Sequence, residues 1–410
     1  MPLTPREMQR LHVLTLLESG KVTSTQAAEA LGITRRQLGR LRVKLRAGGP
    51  TALVHGNRGR PPTNAVPGAT RDQVLALAQG PYAGLNDTHL TEKLTREEGL
   101  AVSRTTVRRL LRRAGLRSPR RRRPPRHRSR RPRRPQAGLL CQLDGSPFAW
   151  FEARGPFCSL QGAIDDATGA VLAAYFREEE DAAGYFWLLR EIARTVGLPA
   201  AAYTDRHSIF VRNDDHWTLA EQLAGAQEPT QVGRAFQALG IEHIVAKSPE
   251  AKGRIERLWG TLQDRLVGEL RLAGISTLEA GNAFLATTFL PAFNAQFAVP
   301  PALAASGYRP VPRSADLDRT CAFHYARTVA ADNTIQIFGQ VLQLQPGPRR
   351  RSFAKAPAEV VHCLDGSWRV YVHEQLVATT PAPPHPGQLR ARRRDRRTPP
   401  AGKGTFSLTS

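Results

Sequence analysis

The spacing of apolar and polar positions divides the chain into three kinds of stretch. Near the N-terminus residues 6–19, 24–30 and 35–46 carry helical periodicity, the last two flanking the turn Leu31-Gly32-Ile33-Thr34, which predicts a helix-turn-helix unit over 1–47. A second helical set, with 87–98 leading through Gly99 to 103–114, predicts another helix-turn-helix or winged-helix-like unit over 70–116. Between them, 48–69 (within GGPTALVHGNRGRPPTNAVPG) is rich in Gly and Pro and reads as a linker.

The middle of the chain mixes periods. LLCQLDGS (139–146) reads as a buried strand ending in Asp144, and 196–205 as a helix end, a turn and a strand ending in Asp205. Residues 160–164 and 171–176 form a hairpin around IDDATG, and the acidic run 178–181 reads as the start of a helix over 185–196. In KSPEAKGRIERLWGTLQDRL (247–266), Ile255, Leu258, Leu262 and Leu266 make one apolar helical stripe. An α/β core over 138–300 follows, then a proline-rich linker over 301–318. Five short alternating stretches, 334–338, 341–344, 359–364, 368–372 and 375–378, predict a small β-barrel over 319–379. The expected fold is thus multidomain: all-α helix-turn-helix units, an α/β core and a small C-terminal β-barrel.

Charge sharpens this picture. The chain of 410 residues has a net charge of +24 and a sequence pI near 11.1, which favours polyanionic partners. The excess is local: 117–135 holds eleven Arg and no acid, and 387–410 holds seven basic residues against Asp395. Without those tracts 41 basic residues face 34 acidic ones. The expectation is an Arg-rich linker over 117–137 and a basic disordered tail over 380–410 that follow phosphates without reading sequence; a solubilising tail is the plainer alternative. On the helices, Arg35, Arg36, Gln37, Arg40 and Lys44, and Arg104 and Arg108 in the second unit, are donors suited to groove edges and phosphates. Arg58 and Arg60 in the linker suit a minor-groove arm, or a plain spacer. No apolar run is long enough to span a membrane and the N-terminus lacks a signal-peptide core, so a cytoplasmic, nucleoid-associated protein is expected. Cys141, Cys158, Cys321 and Cys363 are scattered without CxxC pairing, which indicates neither a disulfide framework nor a zinc knuckle.

The candidate chemistry lies in three carboxylates, Asp144, Asp205 and Glu256. Strand ends bring carboxylates together, and phosphodiester displacement needs negative charge stabilised on both the attacking and the leaving oxygen, which two hard divalent cations can do. Lys252 and Glu256, four apart on the helix, could serve a phosphate and a cation, or form an ordinary solvated pair. Asp165 and Asp166 fit turn residues, 178–181 fits helix capping, Asp214 and Asp215 sit in a polar loop, and His207 suits a structural donor or a phosphate contact.

The ordered set QLDGS, TDRHSIF and SPEAKGRIERLWGTLQ resembles the catalytic core of DDE transposases and retroviral-type integrases, most nearly the ISNCY-type insertion-sequence transposases. The resemblance implies an RNase H-like core that uses two Mg2+ (or Mn2+) ions held by Asp144, Asp205 and Glu256 to cleave and join DNA. It also implies double-stranded DNA partners, namely element ends and target, and a homo-oligomer assembled on them, with neither a membrane nor a small-molecule cofactor involved. Two departures stand out. The Asp205-to-Glu256 gap is longer than in retroviral integrases, which implies an insertion at 206–230. Where relatives carry a basic residue two turns after the Glu this chain has Gln263, so that Arg257 or Arg265 could substitute, with Lys252 and Arg257 as the helix's DNA contacts. Two alternatives remain open: a transcriptional regulator with an inert core, and a structure-directed nuclease.

Overall fold

The computed structural model describes residues 3–59, 65–119, 131–246, 253–347, 351–383 and 389. The expected Arg-rich linker lies mostly, and the tail almost wholly, outside them. Contacts divide the chain into two units, Met1–Gln73 and Val74–Ser410.

The first unit contains α1 (Pro5–Glu18), α2 (Ser24–Leu31) and α3 (Arg35–Gly48). Each starts at a capping box: Thr4 with Glu7, Thr23 with Gln26, Thr34 with Gln37. In each, the Thr hydroxyl accepts from the third helical N–H while the Glu or Gln side chain accepts from the Thr N–H, so two otherwise orphaned donors are satisfied. Gly32 ends α2 at φ 59°, a left-handed conformation costly for residues with a Cβ. Leu14, Ala27, Ala28 and Leu38 form the core, and Leu53 in the short turn Pro50–Leu53 joins it at 2 % exposure. That part of the expected linker is therefore packed.

The boundary falls within α4 (Gly68–Gln79), and from the second unit Val74 packs with α5 (Asp87–Arg96) and α6 (Arg104–Arg113) through Leu90, Leu94, Val107, Leu110 and Leu111. The core sheet follows. Strands β1 (Cys141–Phe148), β2 (Cys158–Asp165) and β3 (Val171–Arg177) form an antiparallel meander. After the crossover helix α7 (Ala182–Thr195), β4 (Ala201–Thr204) pairs parallel to β1; after α8 (Leu219–Ala224) and α9 (Gln231–Ala238), β5 (Glu242–Val245) pairs parallel to β4. The strand order is β3-β2-β1-β4-β5. α7 and α9 bury one face, with Phe186, Leu189, Ile192, Val232 and Phe236 against Leu143 and Ala163. The other face is covered by α10 (Gly253–Leu272), α11 (Leu278–Phe284) and α12 (Leu290–Phe297), where Ile255, Leu258, Leu262 and Leu266 meet Leu160, Ile164 and Phe176. Every residue of β2 is buried, as a central strand covered on both faces must be.

The C-terminal part departs from the expected barrel. After α13 (Leu317–Thr320), β6 (Phe323–Thr328), β9 (Pro357–His362), β10 (Trp368–Val372) and β11 (Gln375–Thr379) make an antiparallel sheet ordered β11-β10-β9-β6, while β7 (Thr334–Ile337) and β8 (Gln340–Gln343) pair only with each other. Among the described residues no closed barrel exists, because the β7–β8 ribbon does not hydrogen-bond to β6 or β11 to join the edges. β6 is also a strand that the alternation did not predict. It docks on the core instead: the Phe186 and Phe323 rings meet edge-on at 5.2 Å, and Arg234 donates to the carbonyl oxygens of Thr320 and Ala322 at 2.8 Å.

Candidate active site

Asp144 lies on β1, and Asp205 directly follows β4, its parallel neighbour. Cys141 lies opposite Ala202 and Gln142 opposite Tyr203, so the same register carried two residues further sets Asp144 beside Asp205, where β4 ends and adjacent strands lie about 4.8 Å apart. Both are partly exposed. Asp144 points toward α10, where Trp259 Nε1–H donates to its Oδ2 at 2.9 Å. That bond depends on Gly162, which pairs with Asp144 on β2: a Cβ there would come within 2.8 Å of the Trp259 ring. Asp205 Oδ1 accepts from the His207 N–H at 2.9 Å, a local turn that fixes the carboxylate as the chain leaves the sheet.

Glu256 lies exposed in the first turn of α10, three residues before Trp259 and so on the same side of the helix. The entry of this helix is anchored by Arg254, whose guanidinium donates to Asp166 at 2.7 Å. Asp166 is fully buried; it also accepts from Arg131, from the Arg134 N–H at 2.8 Å and from Gln142 at 2.7 Å. Burial alone would raise its pKa, but the Arg134 N–H and the Arg131 and Arg254 guanidinium groups hold its carboxyl below the ordinary range. Asp165 accepts from Thr168 N–H and from Gly138 N–H, both at 2.8 Å, and from the Tyr308 hydroxyl. Both aspartates of IDDATG therefore build structure.

The acidic run before α7 divides its labour. Asp181 caps the helix by accepting from Gly184 N–H and pairs with Arg177. Glu180 instead reaches under β1: the Tyr185 hydroxyl donates to its Oε1, and a Cβ on Gly145 would collide with its Oε2. Burial first, then the charges of Asp144 and Asp205, push the Glu180 carboxyl up, against the lowering by the Tyr185 hydrogen bond and His207. Periodicity could not reveal this residue. The signal available was Gly145, an isolated glycine in a strand next to a candidate catalytic Asp, where another group can approach closely. Among the described residues no three acidic, His or Cys side chains are already gathered into a ligating shell. The donor chemistry nonetheless fits a hard cation that keeps part of its water and takes one or two carboxylates.

The other anticipated residues lie as follows. Within 206–230, Arg212 pairs with Asp214 at 2.7 Å and with Glu221, while the Asp215 side chain is exposed. Gln263 donates to Ser146 Oγ at 3.2 Å, and Arg257 is exposed with Nε donating to the Gly253 carbonyl. Arg265 is occupied elsewhere: it forms a two-pronged pair with Glu92 of α5 at 2.7 and 2.9 Å and stacks over Phe297. Along the same contact His89 and Lys93 meet Glu269, and Asn86 meets Asp264, so α5 is docked on α10. A cavity of about 240 Å³ beside it is lined by Lys93, Arg265 and Phe293 among others and includes none of Asp144, Asp205 and Glu256. On the helix-turn-helix surfaces Arg35, Arg36, Arg40, Lys44, Arg104 and Arg108 are exposed. Gln37 is exposed too, but its Oε1 is used as a cap. Arg58 pairs with Glu7 at 2.6 Å. Arg60 and Lys252 lie outside the described residues. The four cysteines are buried and free, and no helix among the described residues is long and apolar enough to cross a membrane.

The family described as Helix-turn-helix domain matches residues 9–62, which takes in most of α1 and all of α2 and α3. "Putative transposase y4bF" of Sinorhizobium fredii (strain NBRC 101917 / NGR234) is 38% identical over 365 residues, 89% of this chain and 78% of that protein. "Transposase for insertion sequence IS1202" of Streptococcus pneumoniae is 34% identical over 326 residues, 71% of this chain and 68% of that protein. Similar solved structures include a simian T-cell lymphotropic virus intasome in complex with PP2A regulatory subunit B56 gamma, at 14% identity and a TM-score of 0.31, covering 75% of this chain and 99% of that one. The HTLV-2 integrase catalytic core domain in complex with magnesium follows, also at 14% identity, with a TM-score of 0.25 and coverage of 37% of this chain and 88% of that one. The helix-turn-helix match and these relatives define a DNA-acting protein. More particularly, the chain belongs to the transposases, and its function is DNA transposition.

Proposed function

We propose that the RNase H-like core cleaves and joins DNA at the ends of an insertion sequence with Asp144, Asp205 and Glu256 as its catalytic carboxylates, and that the helix-turn-helix units recognise the terminal repeats. The observation that supports this is the β1–β4 register, which carried two residues further sets Asp144 beside Asp205 on neighbouring strands of the sheet face that the helix bearing Glu256 covers. Asp144 and Asp205 would hold two Mg2+ or Mn2+ ions between them, and Glu256 would complete the set. Divalent cations bound there supply charge stabilisation of the attacking and leaving phosphate oxygens. Trp259 fixes the rotamer of Asp144, the His207 N–H fixes Asp205, and Arg254 fixes the helix entry next to Glu256. Arg35, Arg36, Arg40 and Lys44 on α3, with Arg104 and Arg108 on α6, supply groove and phosphate donors. A reaction that joins two element ends to a target calls for more than one copy of the chain on DNA.

The test incubates purified chain with a labelled duplex carrying the inverted repeats that flank its own gene, with magnesium or chelator. Expected is metal-dependent nicking at the repeat tip, lost in Asp144→Asn, Asp205→Asn and Glu256→Gln. Repeat binding by wild type without cleavage under either divalent metal would instead mark a DNA-binding regulator on an inert core.

A further inference from the structure

The carboxylates assigned so far reach the site from the α10 face and from the end of β4. A fourth is built in from the opposite face. The side chains of β1 alternate, so Asp144 faces α10 while position 145 faces α7, where Leu143 and Ala163 pack in the α7 core. Position 145 is a glycine, and the space its side chain would take is filled by the Glu180 carboxylate: a Cβ there would collide with Oε2 and Cδ and lie 2.9 Å from Oε1.

Glu180 is held there by groups that are themselves fixed. Tyr185, fully buried, donates its hydroxyl to Oε1. Gln161, also fully buried and opposite Gly145 on β2, donates its amide to the Asp181 carbonyl at 2.8 Å, and Asp181 is clamped by Arg177 and by the Gly184 N–H. A glutamate with no task beyond starting α7 would not need this, because Asp181 already caps the helix. Holding a half-buried carboxylate within reach of the charges of Asp144 and Asp205 is costly unless something positive offsets it.

We propose that Glu180 is a fourth acidic group of the cation site, adding its charge to that of Asp144 and Asp205 from the α7 face through the gap that Gly145 leaves. The inference rests on the reading that Asp144 and Asp205 take divalent cations. It makes cation capture a property of both faces of the sheet, with Tyr185 as the residue that positions Glu180.

The experiment is Mn2+ binding to the full chain without DNA, followed by the electron paramagnetic resonance signal of free Mn2+, in wild type, Glu180→Gln, Glu180→Asp, Tyr185→Phe and Asp144→Asn. Outer groups of metal sites typically alter affinity by about 10- to 100-fold. Glu180→Gln is therefore expected to weaken Mn2+ at least about tenfold and Tyr185→Phe by less, while Glu180→Asp, which keeps the charge, retains most of the affinity. Thermal melting without Mn2+ separates charge from packing: loss of repulsion leaves Glu180→Gln as stable as wild type or more so. Wild-type affinity in Glu180→Gln, with affinity lost in Asp144→Asn, would overturn the role of Glu180 alone. Equal loss in Glu180→Asp and Glu180→Gln would also overturn it, since shape and not charge would then matter. Unchanged affinity in Asp144→Asn would bring down the underlying reading of the site.

Discussion

The two halves of the candidate site are built differently. Asp144 and Asp205 stand on adjacent strands of a sheet covered on both faces, and each is fixed by its neighbours: a shared strand register, a Trp259 hydrogen bond on the one and a His207 turn on the other. Glu256 is carried on the first, exposed turn of a helix whose entry is fixed by a single buried ion-pair cluster, Arg254 with Asp166 and Arg131. Positions on strands packed on both faces are over-determined by the core, whereas a helix start can be re-aimed by one anchor. The strand half is thus suited to holding a cation before DNA arrives, and the helix half to completing the site on DNA.

The largest expected effect tests this division directly. Asp144→Asn or Asp205→Asn should lower both Mn2+ affinity and cleavage, the latter by roughly 10³-fold if about 4 kcal/mol of charge stabilisation is lost. Glu256→Gln should lower cleavage comparably but leave most of the affinity measured without DNA. Side-by-side Mn2+ titrations and single-turnover cleavage decide it: if Glu256→Gln loses as much affinity as Asp144→Asn, the halves are not distinct.

The strand half was also the more legible in sequence. The apolar run before Asp205 reports a strand end, because a buried strand is apolar until it leaves the sheet, whereas the expected end at Asp144 was not one: β1 runs on to Phe148, paired with β2 throughout. The helix of Glu256 was legible through Ile255, Leu258, Leu262 and Leu266, and the N-terminal helices through their periodicity around the turn at Gly32. The contacts that aim these elements were not, because they join residues far apart in the chain: Arg254 with Asp166, Trp259 with Asp144, Arg265 with Glu92. Asp166 read as a turn residue because local spacing sees its hairpin and not the arginines that converge on it. Arg265 read as a substitute DNA contact for the same reason. The barrel failed because alternation predicts strands but not which edges meet, and β6 was missed because FHYART breaks its alternation with exposed and half-buried polar positions.

The anchor of the helix half is the next place to press. Asp166→Asn strands two guanidinium groups against a buried amide and should cost about 3 kcal/mol in urea unfolding. Its sign with pH is fixed: the folded pKa is depressed, so Asp166 adds its stability above the ordinary carboxylate range and loses it as pH falls through the folded value. The variant should therefore flatten the acid side of the stability curve. An acid limb as steep as wild type's would remove Asp166 as the anchor. Arg265→Ala comes third, at about 2 kcal/mol of stability, since it removes one of several ties between α5 and α10 without touching the carboxylates; loss of Mn2+ affinity in that variant would contradict the proposed independence of the strand half.

The smallest effect concerns what the helix half meets. Arg257 sits next to Glu256, exposed, with its Nε donating to the Gly253 carbonyl of its own helix. A guanidinium so placed adds one phosphate contact if α10 lies along DNA, and a phosphate contact carries no sequence information. Arg257→Ala should then weaken binding to repeat and unrelated duplexes alike and lower the slope of log affinity against log salt by about one. Mn2+ affinity without DNA should stay at the wild-type value, because the groups that fix Asp144 and Asp205 are Trp259 and the His207 N–H. A salt slope equal to wild type's would mean that this turn of α10 does not touch the phosphates. Glu256 would then have to reach the reacting atoms on a helix that DNA does not steady, and the assignment of completion on DNA to the helix half would fail with it.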